Sequence, residues 1–578
     1  MRFGEKAAKF IYSLGGAVVF AFTAFIAVWL FYMSSCVTSI MAYEDEHVFF
    51  IKDVGPGMVI GILILLLLFA FIYSRGKKFW QNEAKVERVL KNISIILTVA
   101  FAIVGCLIVK TTHLLPIYDQ YKVFLVAKDF LAGNYTEWQT GQYMDMFPFQ
   151  NGMVLLMIHF AKMGDNGVFV FQYVNVFVLI IVNIGLAKIA KEYFGRNWGY
   201  ATYIASTLSL QMWGQITFVY GFLWQIAFGI WGIYKLIRFD KSGKRSDAAW
   251  AIIFLALGPV FKYNGVLIVI AASLMLFVRM LRKKERRIKY LTVLVLLVLC
   301  TYGVLGGIRA YFDHTAGARA DAGIGMRGYV ALGFSESSVA PGWFNDINTS
   351  VYKEYADDLP RVEERYNEII EERLDVFAAD PEYGIRFFAR KIASMWTEPA
   401  MQCFTNTSIR NLYGTLSYTW KDILYNGGVV NTILYIIMDI AQSCLYFGLM
   451  LRLFWIWKKK KIRSCLEEGD LFVIFLGGFI YHLIFEAKCH YVLPYFIAIF
   501  PYALKGYGET ISEIASIGVK KSRSIRFVLL ALIIGAIIYI IPSRFLDNTM
   551  RLGTATGEYL WYLQNDLEWK DPDYSKWG

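Results

Sequence analysis

Charge is scarce in this 578-residue chain: Asp, Glu, Lys and Arg make up 18% of it, against 57% apolar residues. A soluble fold of this length needs more polar surface, so the bilayer is the expected solvent. Ten-residue segments of alternating hydrophobicity are missing, so no transmembrane barrel is suggested. The seven cysteines show no metal-ligand spacing, and Cys36, Cys106, Cys300 and Cys444 sit in or beside apolar runs as small apolar residues. Cys403 and Cys489 fall on segments expected outside the cell, where a bridge is chemically permitted but not demanded. A glycine-rich loop that would cradle a nucleotide phosphate is absent. So is any internal repeat, which weakens an inverted-repeat transporter reading.

What the chain has instead is long apolar runs. Met58 to Tyr73, Ile93 to Val109, Val168 to Ile189 and Tyr290 to Ile308 are nearly uncharged and suited in length to roughly 30 Å of hydrocarbon. The net charge of +12 comes from basic clusters beside such runs. Examples are Arg282 to Arg287, Lys458 to Lys461, and Lys520, Lys521, Arg523 and Arg526. This is the positive-inside pattern with lipid headgroup contacts, and it argues against a nucleic-acid partner. The first apolar segment, Leu14 to Met41, is too long for a signal-peptide core and reads as an anchor.

Alternating sides from a cytoplasmic N-terminus gives an all-α polytopic membrane protein with about thirteen spans. A transmembrane hairpin (1–91) precedes a core (92–308) whose outer loop, 110–167, is far longer than a reversal needs. Within that loop, Val123 to Leu131 and Phe149 to Lys162 carry helical periodicity and read as interfacial helices. An extracytoplasmic α-rich module (309–427), including a charged helical run Val351 to Phe377, is followed by further spans (428–545) and an outer tail (546–578).

Several constellations could carry chemistry. Asp119, just outside a span and beside Gln120, is suited to act as a general base on a hydroxyl; the plainer reading is an interfacial carboxylate that marks topology. Tyr143, Asp145, Gln150 and Asn151 in the same loop are costly polar groups at an interface unless they face a cavity. Glu44, Asp45 and Glu46, before His47, form a rival acidic turn able to offer oxygen ligands to a divalent cation, though such a turn more often simply solvates itself. Glu486, Lys488, His490 and Tyr491 crowd the outer end of a late hairpin, where a cation at headgroup depth suits a phosphate leaving group; the alternative is a snorkelling lysine paired to Glu486. Lys262, after Pro259, is a second phosphate candidate. Trp343 and Trp396 mix with polar neighbours in the outer module, which suits stacking on sugar rings and equally suits any interfacial domain.

Tyr118-Asp119-Gln120, Tyr143 with Phe147-Pro148-Phe149-Gln150, Pro341 to Asn345, Lys391 to Pro399 and Glu486 to Tyr491, in this order, resemble the GT-C membrane glycosyltransferases. The likeness is to the protein O-mannosyltransferase and aminoarabinose-transferase-like branch, as found in Gram-positive bacteria, and it spans most of the chain from about residue 90. The resemblance implies a polyprenyl-phosphate sugar in the outer leaflet and an extracytoplasmic acceptor, a cell-envelope glycopolymer, lipid or protein. Transfer would invert the anomeric carbon. Asp119 would be the base, Gln120, Tyr143, Asp145, Gln150 and Trp396 would contact acceptor or sugar, and Lys488, His490, Tyr491 and Lys262 would hold the donor phosphate. No cofactor is required by such a reaction. Two spans before the loop, where one is typical, leave Asp45 as a competing site, and Gln120 in place of a second acid weakens the case for a metal. A transporter or flippase, and a polysaccharide polymerase or ligase, are the other readings.

Overall fold

In the computed structural model, residues 2–42, 47–319, 321–411, 416–517, 546–547, 549–550 and 552–565 are described. Apolar runs become helices because a helix satisfies its own backbone in lipid. The N-terminal half runs α1 (Arg2–Cys36), α2 (Pro56–Arg75), α3 (Glu83–Thr112), α4 (Tyr118–Leu131), α5 (Asn151–Ala161), α6 (Asn166–Phe194), α7 (Arg196–Leu208), α8 (Phe222–Ser242), α9 (Arg245–Phe261), α10 (Gly265–Arg282) and α11 (Arg287–Ala316). The later module holds α12 (Met326–Phe334), α13 (Ile347–Glu354), α14 (Leu359–Ala379) and α15 (Pro381–Trp396). Then come α16 (Val429–Lys458), α17 (Asp470–Ile484), α18 (Leu493–Ala498), α19 (Phe500–Ile517) and α20 (Leu552–Asn565).

Among the described residues, seven helices are long and apolar enough to cross a membrane, which makes the protein a polytopic helical membrane protein. The expected Tyr491 to Leu504 span is broken at Ile499, between α18 and α19. The expected span Phe527 to Ile541 lies outside the described residues, as do the basic cluster at 520–526 and the acidic turn Glu44, Asp45 and Glu46.

Two expectations are corrected, and one bridge that the sequence left open is not formed. The architecture is not purely helical: Val37–Met41 (β1) and Val48–Lys52 (β2) pair antiparallel, and Leu114–Pro116 (β3) pairs with Thr407–Asn411 (β4). Tyr559 and Tyr562 of α20 pack their rings on Phe49 of β2. The charged run 351–377 is two helices, because Asp358 caps α14 through the Arg361 amide and Pro360 sits in its first turn. Cys403 and Cys489 are both buried and form no disulfide.

The basic end of the bundle is held by ion pairs. Arg279 of α10 donates to both carboxylate oxygens of Asp470, at 2.8 and 2.7 Å, and Arg452 pairs with Glu468 and Glu509. The opposite end, where α3 finishes and α10 begins, carries the long loop with Asp119.

Candidate functional site

Asp119 is positioned by its neighbour. Gln120 is buried, accepts from the Val219 amide at 2.8 Å and donates to the Asn406 carbonyl at 2.5 Å. These bonds clamp the first turn of α4 between the loop before α8 and the segment leading into β4. Both polar ends of the Gln120 side chain are therefore engaged by backbone. Asp119, one residue earlier, stays exposed. Buried amides elsewhere do similar work: Gln172 donates to the carbonyls of Leu114 and Thr217. Such groups are tolerated inside because their hydrogen bonds are made.

From Asp119 a hydrogen-bonded path runs inward. Tyr143 donates to Asp119 Oδ1 at 2.9 Å, and the Gln150 amide donates to Tyr143 at 3.4 Å and to the Tyr220 hydroxyl. Lys262 Nζ donates to that same Tyr220 hydroxyl at 3.3 Å. Its ammonium also lies over two aromatic faces, 4.4 Å from the Tyr220 centroid and 5.1 Å from that of Tyr491. Burial, with the charge of Asp119 added, holds the Tyr143 phenol well above its ordinary value, so it remains a donor.

Lys262 is buried where the chain leaves α9, and burial lowers it to about 8. Asp119 and Glu486 act in the opposite sense and favour its charged form, while Lys488 disfavours it. The hydrogen-bonded path, with the Tyr491 ring against Lys262, brings the early and late polar segments to one place. The separation of almost four hundred residues between Asp119 and Tyr491 is closed by the fold.

Two glycines permit this geometry. A Cβ on Gly221 would stand 2.0 Å from the Phe261 carbonyl oxygen, and one on Gly152 would stand 2.0 Å from that of Val260. Both the Tyr220 loop and α5 therefore press on the end of α9 that presents Lys262. Gly221→Ala is expected to destabilise the protein by roughly 1–3 kcal/mol by forcing Tyr220 away from Lys262. Thermal unfolding in detergent measures the effect.

Lys262 and Tyr491 line a cavity of about 540 Å³ that also meets Phe149, Arg309, Tyr329 and Glu486. Arg309 was not singled out from sequence, although it stands at the end of the uncharged run 290–308. It donates to the Ala322 carbonyl at 3.0 Å, and its buried Nε has no partner among the described residues. Tyr220 and Tyr329 carry no sequence signal that separates them from the other 35 tyrosines of the 37 present.

The remaining candidates are placed as follows. Asp145 is buried and ion-paired to Arg319 at 2.9 Å, with the Gly141 amide and the Tyr352 hydroxyl also donating to it. It ties the Asp119 loop to the later module and is not free for an acceptor. Trp396 is fully buried against Phe475 and Phe479, so its ring is not placed to stack on a sugar. Trp343 is buried too, donating to Ser394 at 2.8 Å.

His490 Nδ1 lies 2.6 Å from the Gln402 amide oxygen, to which it donates. Gln402 is itself fixed by a turn in which Met401 and Gln402 have φ of 48° and 62° and Glu398 accepts the Gln402 amide at 2.8 Å. Burial, with Lys488 and Lys262 nearby, holds His490 well below its ordinary value. Its uncharged form is thereby favoured. Among the described residues, no three His, Cys, Asp or Glu side chains gather into a metal group.

No protein-family model and no curated protein matches the chain. Among solved structures there is distant similarity to the Archaeoglobus fulgidus oligosaccharyltransferase in its apo form, with 13% identity over 83% of this chain and 59% of that one and a TM-score of 0.38. The Archaeoglobus fulgidus oligosaccharyltransferase AglB in complex with an inhibitory peptide and a dolichol-phosphate is similar at 14% identity over 87% of this chain and 59% of that one, with a TM-score of 0.39. The chain thus spans 59% of the length of each of these two structures.

Proposed function

We propose that the protein is a GT-C-type glycosyltransferase that moves a sugar from a polyprenyl-phosphate donor to an acceptor on the outer side of a membrane. The observation that carries this reading is the path Asp119–Tyr143–Gln150–Tyr220–Lys262, which joins an exposed carboxylate to a buried cation on a cavity wall. A base reachable by an acceptor and a cation withdrawn from water are the two electrostatic needs of displacement at a phosphorylated anomeric carbon.

In the proposed step, the acceptor oxygen bonds to the anomeric carbon as the bond from that carbon to the phosphate oxygen breaks. The acceptor proton passes to Asp119. The electron pair of the broken bond leaves on the polyprenyl phosphate, whose charge Lys262 and Arg309 stabilise. Attack opposite the leaving group inverts the configuration. Tyr143 orients Asp119, and Tyr220 and Tyr491 hold Lys262.

The direct test is sugar release from radiolabelled polyprenyl-phosphate sugars by membranes carrying the chain. Release above empty membranes supports the reading; none with any donor favours a transporter. Tyr143→Phe, which keeps the ring and removes the bond to Asp119, is expected to lower kcat about tenfold, since a hydrogen bond to a charged group contributes on the order of 1.5 kcal/mol. An unchanged kcat in that variant would leave Tyr143 without a role in orienting the base.

A further inference from the structure

A second cavity, of about 450 Å³, lies between α3, α6 and α7 at the basic end of the bundle, away from the site above. Each of the three helices contributes residues at one helical spacing. They are Lys91, Ser94, Ile95 and Thr98 from α3, Ile184, Ala187, Lys188 and Lys191 from α6, and Arg196, Gly199, Tyr200 and Tyr203 from α7. The spacing i, i+3, i+4, i+7 makes each set a single helix face. Three faces turned towards one another make a built cleft rather than a scatter of surface charge.

Its polarity is graded. Lys91 lies near the start of α3, Lys188 and Lys191 near the end of α6, and Arg196 opens α7, so all four cations gather at one end of the bundle. Ile95, Thr98, Ile184 and Tyr203 lie one to two turns further in, where Thr98 and Tyr203 share a hydrogen bond at 2.5 Å. One carboxylate, Glu87, faces the four cations, and it meets Arg196 at 3.4 Å. Neither Lys91 nor Lys191 has an ion-pair partner among the described residues. The Lys188 ammonium is carried away from the cleft, over the rings of Trp231 and Tyr234 of α8, 5.8 and 5.5 Å from their centroids, so Lys91 and Lys191 are the cleft's two unpaired cations among the described residues. Like charges brought together with one opposing carboxylate repel each other unless an anion joins them.

We propose that this cleft binds a phosphate anion, with the basic end taking the phosphate and the apolar flank at Ile95 and Ile184 taking the chain of an anionic phospholipid. An amphiphile with its head at the basic end and its tail along Ile95 and Ile184 matches the grading, and each cation near such a headgroup favours binding. The site is independent of the transfer chemistry.

The test uses the purified full-length protein in neutral detergent, with dioctanoyl phosphatidic acid, dioctanoyl phosphatidylcholine and inorganic phosphate as probes and native mass spectrometry as readout. Wild type is expected to retain the phosphatidic acid in preference to the phosphatidylcholine. The double substitution Lys91→Gln and Lys191→Gln is expected to weaken that binding about 25-fold, roughly fivefold for each charge. Lys91→Arg with Lys191→Arg restores it, which separates charge from packing. Glu87→Gln, by releasing Arg196, tightens it. Competition by inorganic phosphate at millimolar concentration, also lost in the Gln variant, supports the anion site with soluble phosphate as its source; absence of competition assigns it to lipid. Equal binding of both lipids, unchanged binding in the double Gln variant, or weaker binding in Glu87→Gln overturns the proposal.

Discussion

Asp119→Asn is expected to lower sugar release from a polyprenyl-phosphate donor by roughly 10²- to 10⁴-fold, the usual contribution of a positioned general base. The substitution keeps size and shape, and its amide oxygen can still accept from Tyr143, which donates to Asp119 at 2.9 Å. What is lost is the capacity to take a proton. Because the carboxylate is exposed and stands on a turn clamped by Gln120, folding should be unaffected. The loss should therefore fall on kcat with little change in KM. Turnover equal to wild type would remove Asp119 from the mechanism. The same assay on Asp45→Asn decides between this carboxylate and the rival acidic turn.

Lys262→Gln is expected to cost roughly 10²- to 10³-fold in kcat, the scale found when one preorganised electrostatic contact to a developing anion is deleted. This proposed role predicts a pH signature in the wild type. Burial lowers Lys262 from 10.5 to about 8, so in the free enzyme its ammonium form prevails below that pH and disappears above it. The plot of kcat/KM against pH should accordingly fall as pH rises through about 8. With donor bound, phosphate charge favours the ammonium, and the corresponding limb of kcat should lie higher. Lys262→Gln should lose the limb together with the rate.

Loss of stability does not mimic this signature. The folded pKa of Lys262 lies below its unfolded value, so between about 8 and 10.5 the unfolded chain binds the extra proton. This group therefore makes folding more favourable as pH rises through that window. A fall in kcat/KM there, with melting temperature steady or rising, belongs to the site. A limb that persists unchanged in Lys262→Gln would assign the titration to another group.

The helices on either side of the site were legible because their signal is local. A run such as Ile93 to Val109 has one economical conformation in lipid, and the basic residues beside it mark one end. The candidacy of Asp119 was legible for a related reason, since a carboxylate immediately after a span stands out against apolar surroundings. Trp396 and Asp145 show where that reasoning stops. Each has the residue type expected at a sugar-binding surface, yet one packs on Phe475 and Phe479 and the other is consumed by Arg319, partners that lie far away along the chain. Gln120 differs again, because a glutamine beside a candidate base looks the same in sequence whether it meets a ligand or two backbone groups.

By itself, then, the sequence determined that this protein is a bundle of membrane-spanning helices with basic residues gathered at one end and a long polar loop containing Asp119. Hydrophobic length and charge placement act within a few turns of chain, and they need no knowledge of neighbours. Only the tertiary structure decided that Lys262 is linked to Asp119 through Tyr143, Gln150 and Tyr220, that Arg309 shares the cavity of Lys262, and that three basic helix faces line a second cleft. The reason is physical: the charge state of a buried group is set by desolvation and by whatever the fold places next to it, and for Lys262 those neighbours come from segments before residue 120 and after residue 480.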